Sequence, residues 1–291
     1  MECLPCFFRQ VSRTLSYAGI NGDRGRSITL QANDIISRAS LDQAPARIST
    51  LLHRLLREAT GIDPYRDVKE RYNRIALGML PSVRSRAGTD LLAGGVRAAI
   101  AGNIIDFGIY ESIDLEGSLQ ESFRLPLPGR AYAGFSAAVG RSSNILYLCD
   151  NAGEIVFDLL LIRFLKAQGA RVTLAVKGAP VLNDATLVEA WQLGMEREVD
   201  LLTTTGSGDI GVTLEKIPGD LARALADATL IIAKGMANYE SLTEYAPRLP
   251  PVAYLLTVKC ETVAESIGAP VGASMAALEG AGPIPVSPGT G

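Results

Sequence analysis

Two rhythms divide this chain of 291 residues. Up to about residue 105, apolar side chains recur every three or four positions. That period predicts amphipathic helices over residues 7–18, 28–39, 46–60 and 66–79. Asp63-Pro64 is a natural start for the last of these, because Asp can cap a helix and Pro is tolerated in its first turn. Residues 89–105, rich in Ala and Gly, predict one more helix with close neighbours. A polar stretch follows over residues 111–134, carrying Pro126, Pro128 and several glycines, and reads as a boundary or hinge. After about residue 140 the rhythm changes to short apolar runs at 145–149, 172–176, 199–203, 229–233 and 253–258. Helical patterns lie between or after them, at 154–168, 185–193, 219–227, 239–245 and 261–267. Five buried strands with crossover helices predict an α/β fold with a doubly wound parallel sheet.

Composition narrows the function classes. Hydrophobic residues make up 47% and charged residues 20%, ordinary globular values. With 28 Lys+Arg against 31 Asp+Glu the formal net charge is -3, so no basic surface marks a nucleic-acid partner. No apolar stretch reaches the roughly 18 to 20 residues that span a bilayer. The longest, residues 155–165, is broken by Asp158 and Arg163. The N-terminus lacks the basic and apolar regions of a signal peptide, so the expected location is cytoplasmic, with no membrane partner. Four cysteines, Cys3, Cys6, Cys149 and Cys260, are too few for a disulfide framework.

Candidate chemistry gathers where the apolar runs end. Asp150, Asn151 and Glu154 follow the first, and Lys177, Asn183 and Asp184 the second. Asp209 follows the third, Lys234 ends the fourth and Lys259 the fifth. Open α/β sheets bind ligands at the carboxyl edge of their strands. Carboxylates with an amide carbonyl suit Mg²⁺ or Mn²⁺, and lysines suit phosphate oxygens. The expected protein is therefore a metal-dependent hydrolase of a small phosphorylated molecule, with Asp150, Asn151 and Asp184 on the metal. Lys234 and Lys177 would meet phosphoryl oxygens, and Asp209 or Glu154 would orient the attacking water.

Other readings remain open. Residues 206–211 spell G-x-G-x-x-G after a strand, which could serve a Rossmann-type transferase. Pro218, however, falls where the required helix would run, and the next strand ends in Lys234, where an acid should hold the ribose. Asp150 as a phosphorylated nucleophile is disfavoured, because Ala152 stands where such phosphatases carry a second Asp. The lone histidine, His53, lies among Leu51, Leu52, Leu55 and Leu56, so a Ser-His-Asp triad is hard to assemble. A phosphometabolite-binding protein without catalysis would use the same loops. The Cys3-x-x-Cys6 pair could bind metal with Cys260, act as a redox pair or simply be buried.

Several segments, in order, resemble the damage-control phosphatase family, long catalogued as domain of unknown function 89. They are Cys3-Leu-Pro-Cys6, Asp63-Pro-Tyr, residues 69–73, Gly102-Asn-Ile-Ile-Asp-Phe-Gly108 and Asp150-Asn-Ala-Gly-Glu154. Lys177-Gly, Asn183-Asp184, Lys234-Gly-Met-Ala-Asn-Tyr-Glu-Ser241 and Val258-Lys-Cys260 complete the set, which resembles the prokaryotic branch with an N-terminal C-x-x-C. The resemblance implies an all-helical N-terminal region (residues 1–135) packed on a Rossmann-like α/β domain (136–280); residues 281–291, rich in Gly and Pro, are expected to form a mobile tail. The resemblance also implies hydrolysis of phosphomonoesters such as sugar phosphates or damaged phosphometabolites, using Mn²⁺, Co²⁺, Ni²⁺ or Mg²⁺ on Asp150, Asn151 and Asp184. By the same similarity Asp209 and Lys234 would contact phosphate or metal with Glu154 nearby, and Asn103 and Asp106 would line the cleft.

Overall fold

The computed structural model describes residues 3–40, 44–104, 115–124, 127 and 129–279. Among the described residues, seven helices precede the first strand: α1 (Cys3–Tyr17), α2 (Gly22–Arg38), α3 (Pro45–Thr60), α4 (Arg66–Ala87), α5 (Leu91–Ile104), α6 (Leu115–Arg124) and α7 (Gly129–Arg141). The first three form a small bundle of their own. Each gives one stripe to its core at four-residue spacing: Phe7, Val11 and Leu15, then Ile28, Ala32 and Ile36, then Ile48, Leu52 and Leu56. His53 is buried beside this core, where its Nε2 meets Gln10 Oε1 at 3.2 Å.

The rest is built on one sheet. Its strands are β1 (Asn144–Leu148), β2 (Arg171–Val176), β3 (Leu201–Thr204), β4 (Leu230–Lys234), β5 (Val252–Thr257) and β6 (Ser274–Glu279). Between them run α8 (Glu154–Ala167), α9 (Leu187–Gln192), α10 (Gly219–Asp227), α11 (Gly235–Leu242) and α12 (Glu261–Ile267). The order across the sheet is β3-β2-β1-β4-β5-β6. The first five strands are parallel, and β4 and β5 are buried at every position, which is why their sequences are unbroken apolar runs. Strand order reverses between β1 and β4, the switch point where doubly wound sheets open a crevice.

Among the described residues the sheet has six strands, one more than the five expected. β6 runs antiparallel to β5 at the sheet's edge. Its sequence, Ser-Met-Ala-Ala-Leu-Glu, has none of the β-branched residues that signal a strand. Burial against β5 and α7 decides its state instead. The polar stretch expected as a hinge contributes two helices, α6 and α7, within its described part. Residues 281–291, expected as a tail, lie outside the described residues.

Both sheet faces are covered. α5, α7 and α8 share one core with Ile145, Tyr147, Val172 and Leu174 of the strands. α10, α11 and α12 cover Leu146, Leu148, Ile231 and Tyr254 on the other face. The helix α5, from the N-terminal half, thus belongs to the sheet's own layer. It lies unusually close to α8, because Gly95 and Gly102 face it one above the other. A β-carbon on Gly95 would come within 3.0 Å of Leu161 Cα, and one on Gly102 within 3.0 Å of Glu154 Cα. This backbone-to-backbone approach reaches Glu154 in the first turn of α8, and α8 begins at the candidate site.

Candidate active site

Backbone hydrogen bonds beyond the sheet sew the first two strand ends together. Ala185 N donates to Asp150 O and Lys177 N to Ala185 O, both at 2.8 Å. Ala152 N donates to Asn183 O at 2.8 Å, and Asn151 pairs with Asp184 as a single antiparallel bridge. Two loops separated by thirty residues of chain are therefore locked in register, with Asp150, Asn151 and Asp184 side by side. α4 supports them from below: Asn73 Oδ1 accepts Gly153 N at 2.6 Å. Asn238 of α11 ties β1 to β4 by donating to Cys149 O and Lys234 O.

Asp150 and Asp184 are both buried. Asn151 Nδ2 donates to Asp150 Oδ2 at 2.7 Å and to Glu154 Oε2 at 3.2 Å. With both amide protons engaged, Oδ1 is left as that side chain's ligand oxygen. Burial, Glu154 and Asp184 push the Asp150 carboxyl well above its usual range. Burial raises Asp184 to about 6 even against the charges of Lys177 and Lys69. Its Oδ2 is buried with no hydrogen-bond partner, and Lys177 Nζ stands 3.5 Å away. Acids crowded and desolvated in this way lack positive charge, which a hard divalent cation would supply. Among the described residues, no three His, Cys, Asp or Glu side chains already form a metal-holding group. The donor set that fits is two carboxylates with the Asn151 amide oxygen.

Gly235 shows how tightly Asp150 is held. It has φ +77°, and a β-carbon there would lie 2.0 Å from Asp150 Oδ2. Only glycine lets the start of α11 stand against that carboxylate.

The lysines are placed differently from the sequence expectation. Lys234 is wholly buried, and its Nζ donates to Ala99 O at 2.9 Å, Glu154 Oε1 at 2.5 Å and Asp158 Oδ1 at 2.6 Å. Glu154 is also wholly buried. Lys234 and Glu154 were expected to contact substrate; as placed here, both are wholly buried, bonded to each other, and brace the centre from behind. Lys177 is 2% exposed and donates to Gly211 O at 2.5 Å. The lysine beside Asp150 that keeps partial exposure is Lys259, whose charge opposes the rise in the Asp150 carboxyl.

Asp209, in the loop after β3, is held by partners of its own. Its Oδ2 accepts Thr213 Oγ1 at 2.9 Å and Lys216 Nζ at 2.5 Å, with Arg54 at 3.8 Å from Oδ1. Burial acts to raise this carboxyl, but those partners outweigh it and hold it below its usual range. It lines a cleft of about 650 Å³ together with Arg47, Arg54, Lys216 and Tyr245. That cleft touches none of Asp150, Asn151 and Asp184, so the carboxylate cluster and not cleft volume locates the centre. No helix opens after Gly211. A short helical turn, Leu214–Lys216, and Pro218 come before α10, which disfavours a dinucleotide loop. Asn103 lies in α5, one residue after the glycine that abuts Glu154, and its side chain lies outside the described residues; so does Asp106.

Four supporting residues were not assigned roles from sequence: Asn73, Lys69, Asn238 and Lys259. Lys69 is buried between Asp63 (2.7 Å) and Glu189 (3.0 Å), and Glu189 also closes the capping box of α9 with Thr186. The signal available was chemical, since an Asn and a Lys on the buried stripe of a helix are costly unless bonded. The thiols stay free: Cys6 accepts from Gln10 Nε2 at 3.4 Å, Cys3 lies 3.8 Å from Thr262 Oγ1, and Cys149 is core.

Comparison with known proteins supplies a context for this geometry. A family model described as the damage-control phosphatase ARMT1-like domain matches residues 1–275. An uncharacterized protein of Methanocaldococcus jannaschii is 38% identical over 93% of this chain and 92% of its own. A damage-control phosphatase of Archaeoglobus fulgidus is 37% identical over 78% of this chain and 80% of its own. The crystal structure of a DUF89 family protein from Pyrococcus horikoshii superimposes with a TM-score of 0.84 at 29% identity, covering 95% of this chain and 97% of that one.

Proposed function

Because the chain belongs to the damage-control phosphatase ARMT1-like family, we propose that it is a metal-dependent phosphatase of small phosphorylated metabolites, sugar phosphates or damaged phosphometabolites among them. The observation that carries this reading is the pair of buried acids, Asp150 and Asp184, raised by burial and joined by Asn151 at the switch point of the sheet. Asp150, Asn151 and Asp184 would hold the cation. Bound there, a divalent ion supplies Lewis acidity, easing deprotonation of the attacking water and offsetting phosphoryl charge.

The protein's own side chains do the rest. Lys259 is the cation placed to meet a phosphoryl oxygen, where charge grows in the transition state. Lys177 opposes the rise in the Asp184 carboxyl and pins the loop carrying Gly211. Glu154 and Asp150 hold the Asn151 amide between them. The test is phosphate release from a panel of phosphomonoesters by chelator-stripped protein, with Mg²⁺, Mn²⁺, Co²⁺ or Ni²⁺ added singly. Release that requires metal and vanishes in Asp150→Ala is expected. A folded protein that binds the ion and releases nothing would be a phosphometabolite-binding protein instead. A thermal shift with a nucleotide cofactor and none with metal would favour a transferase.

A further inference from the structure

Behind the centre lies a second acid that the proposed chemistry does not use. Asp158 stands one helical turn after Glu154 on α8, and both are wholly buried. Lys234 Nζ has three protons and three acceptors: Ala99 O, Glu154 Oε1 and Asp158 Oδ1. Asp158 Oδ1 also accepts the hydroxyl of the buried Tyr147 at 2.7 Å. A lone Glu154–Lys234 pair would already be neutral. Adding Asp158 buries a further charge, with its Oδ2 lacking any hydrogen-bond partner. Stability does not call for such an arrangement, since buried ion clusters are often no better than apolar packing.

What Asp158 does accomplish is geometric. It accepts one proton of the ammonium, so Glu154 spends one oxygen on Lys234 and keeps Oε2 for Asn151 Nδ2. We propose that Asp158, steadied by Tyr147, is a positioning residue: through Lys234 it holds Glu154 on the Asn151 amide and so keeps Asn151 Oδ1 available as a cation ligand. This rests on the metal-centre reading above. Losing a residue that orients a metal ligand in this way commonly changes metal affinity by about 10- to 100-fold.

The experiment compares full-length wild type, Asp158→Asn, Tyr147→Phe and Leu52→Ala, the last a destabilised control in the α1–α3 bundle. Two quantities are read: the Mn²⁺ Kd by calorimetry, and the side-chain amide resonances of Asn151 in the metal-free protein. Asp158→Asn should weaken Mn²⁺ by about 10- to 100-fold and shift the Asn151 resonances. Tyr147→Phe should move both in the same direction by less, and Leu52→Ala should move neither. A folded Asp158→Asn with Kd within about twofold of wild type and unmoved Asn151 resonances would overturn the proposal. If Asp158→Asn does not fold, Tyr147→Phe decides on the same two readouts. If wild type binds no Mn²⁺, the metal-centre reading fails separately, and the Asn151 resonances alone decide the positioning role.

Discussion

Lys177 and Lys234 sit at corresponding places, at the ends of the two strands that flank β1, yet they are bonded in opposite styles. Lys234 is saturated by two carboxylates and a carbonyl within 2.9 Å. Lys177 makes one close bond, to Gly211 O, and stays 3.5 Å from an Asp184 oxygen that has no hydrogen bond. The β4 side of the centre is therefore closed scaffold, and the β2 side keeps an acid in reserve. The same residue type at the same strand position braces in one case and leaves room for a ligand in the other. The number of acids bonded to each lysine makes the difference: α8, the helix after β1, supplies Glu154 and Asp158 to Lys234, whereas the acid nearest Lys177 is Asp184 at 3.5 Å.

The contrast breaks most visibly on deleting the lysines. Lys234→Ala leaves two buried acids without their cation and should cost about 3–5 kcal/mol in urea unfolding of the metal-free protein. Lys177→Ala should cost less, about 1–3 kcal/mol, while removing phosphate release. Equal costs would show that the two flanks do not differ.

Acid and base limbs of stability sharpen a second contrast, between the centre and the α1–α3 bundle. Burial, then Arg57, holds His53 down at about 4 instead of 6.5. The unfolded chain therefore takes up the proton first, and stability falls as pH drops from about 6.5 to about 4, by at most about 3 kcal/mol. Asp184 runs the other way: its folded value of about 6 exceeds 3.8. The folded protein keeps a proton that the unfolded chain sheds, so stability falls as pH rises from about 4 to about 6. Denaturation of the metal-free protein across pH 4–7 should show His53→Gln lifting the acid limb and Asp184→Asn lifting the upper one.

Gly235→Ala should have a smaller effect on stability, about 1–2 kcal/mol from its φ of +77°. Its effect on turnover should be large, about 100-fold, because the new methyl displaces the Asp150 carboxylate; full activity would show that the carboxylate tolerates movement. Least of all, Arg163→Ala should cost under about 1 kcal/mol. It breaks a partly exposed pair with Glu198 far from either lysine, and leaves phosphate release unchanged.

Local pattern made the helical first region, the five parallel strands and the charged strand ends legible. Period and burial act residue by residue, and an apolar run ending in Asp150-Asn151 is visible without a partner. β6 was not legible, because alanines at an edge become a strand only through β5 and α7. The partners of Asp209 were hidden as well: like Asp150 it follows a strand, but the loop after β3 turns toward α3 and Lys216.

By itself, then, the sequence determined which residues are buried, where strands stop and which oxygen-bearing side chains stand at those stops, since these depend on short-range periodicity. Only the tertiary structure decided which charges meet. Pairing through α8 joined Lys234 and Glu154 in a buried brace, and the fold brought Asn73, Lys69 and Lys259 to the centre from distant segments. An ionisable group's role depends on its desolvation and its neighbours within a few ångströms, and the folded chain alone sets those.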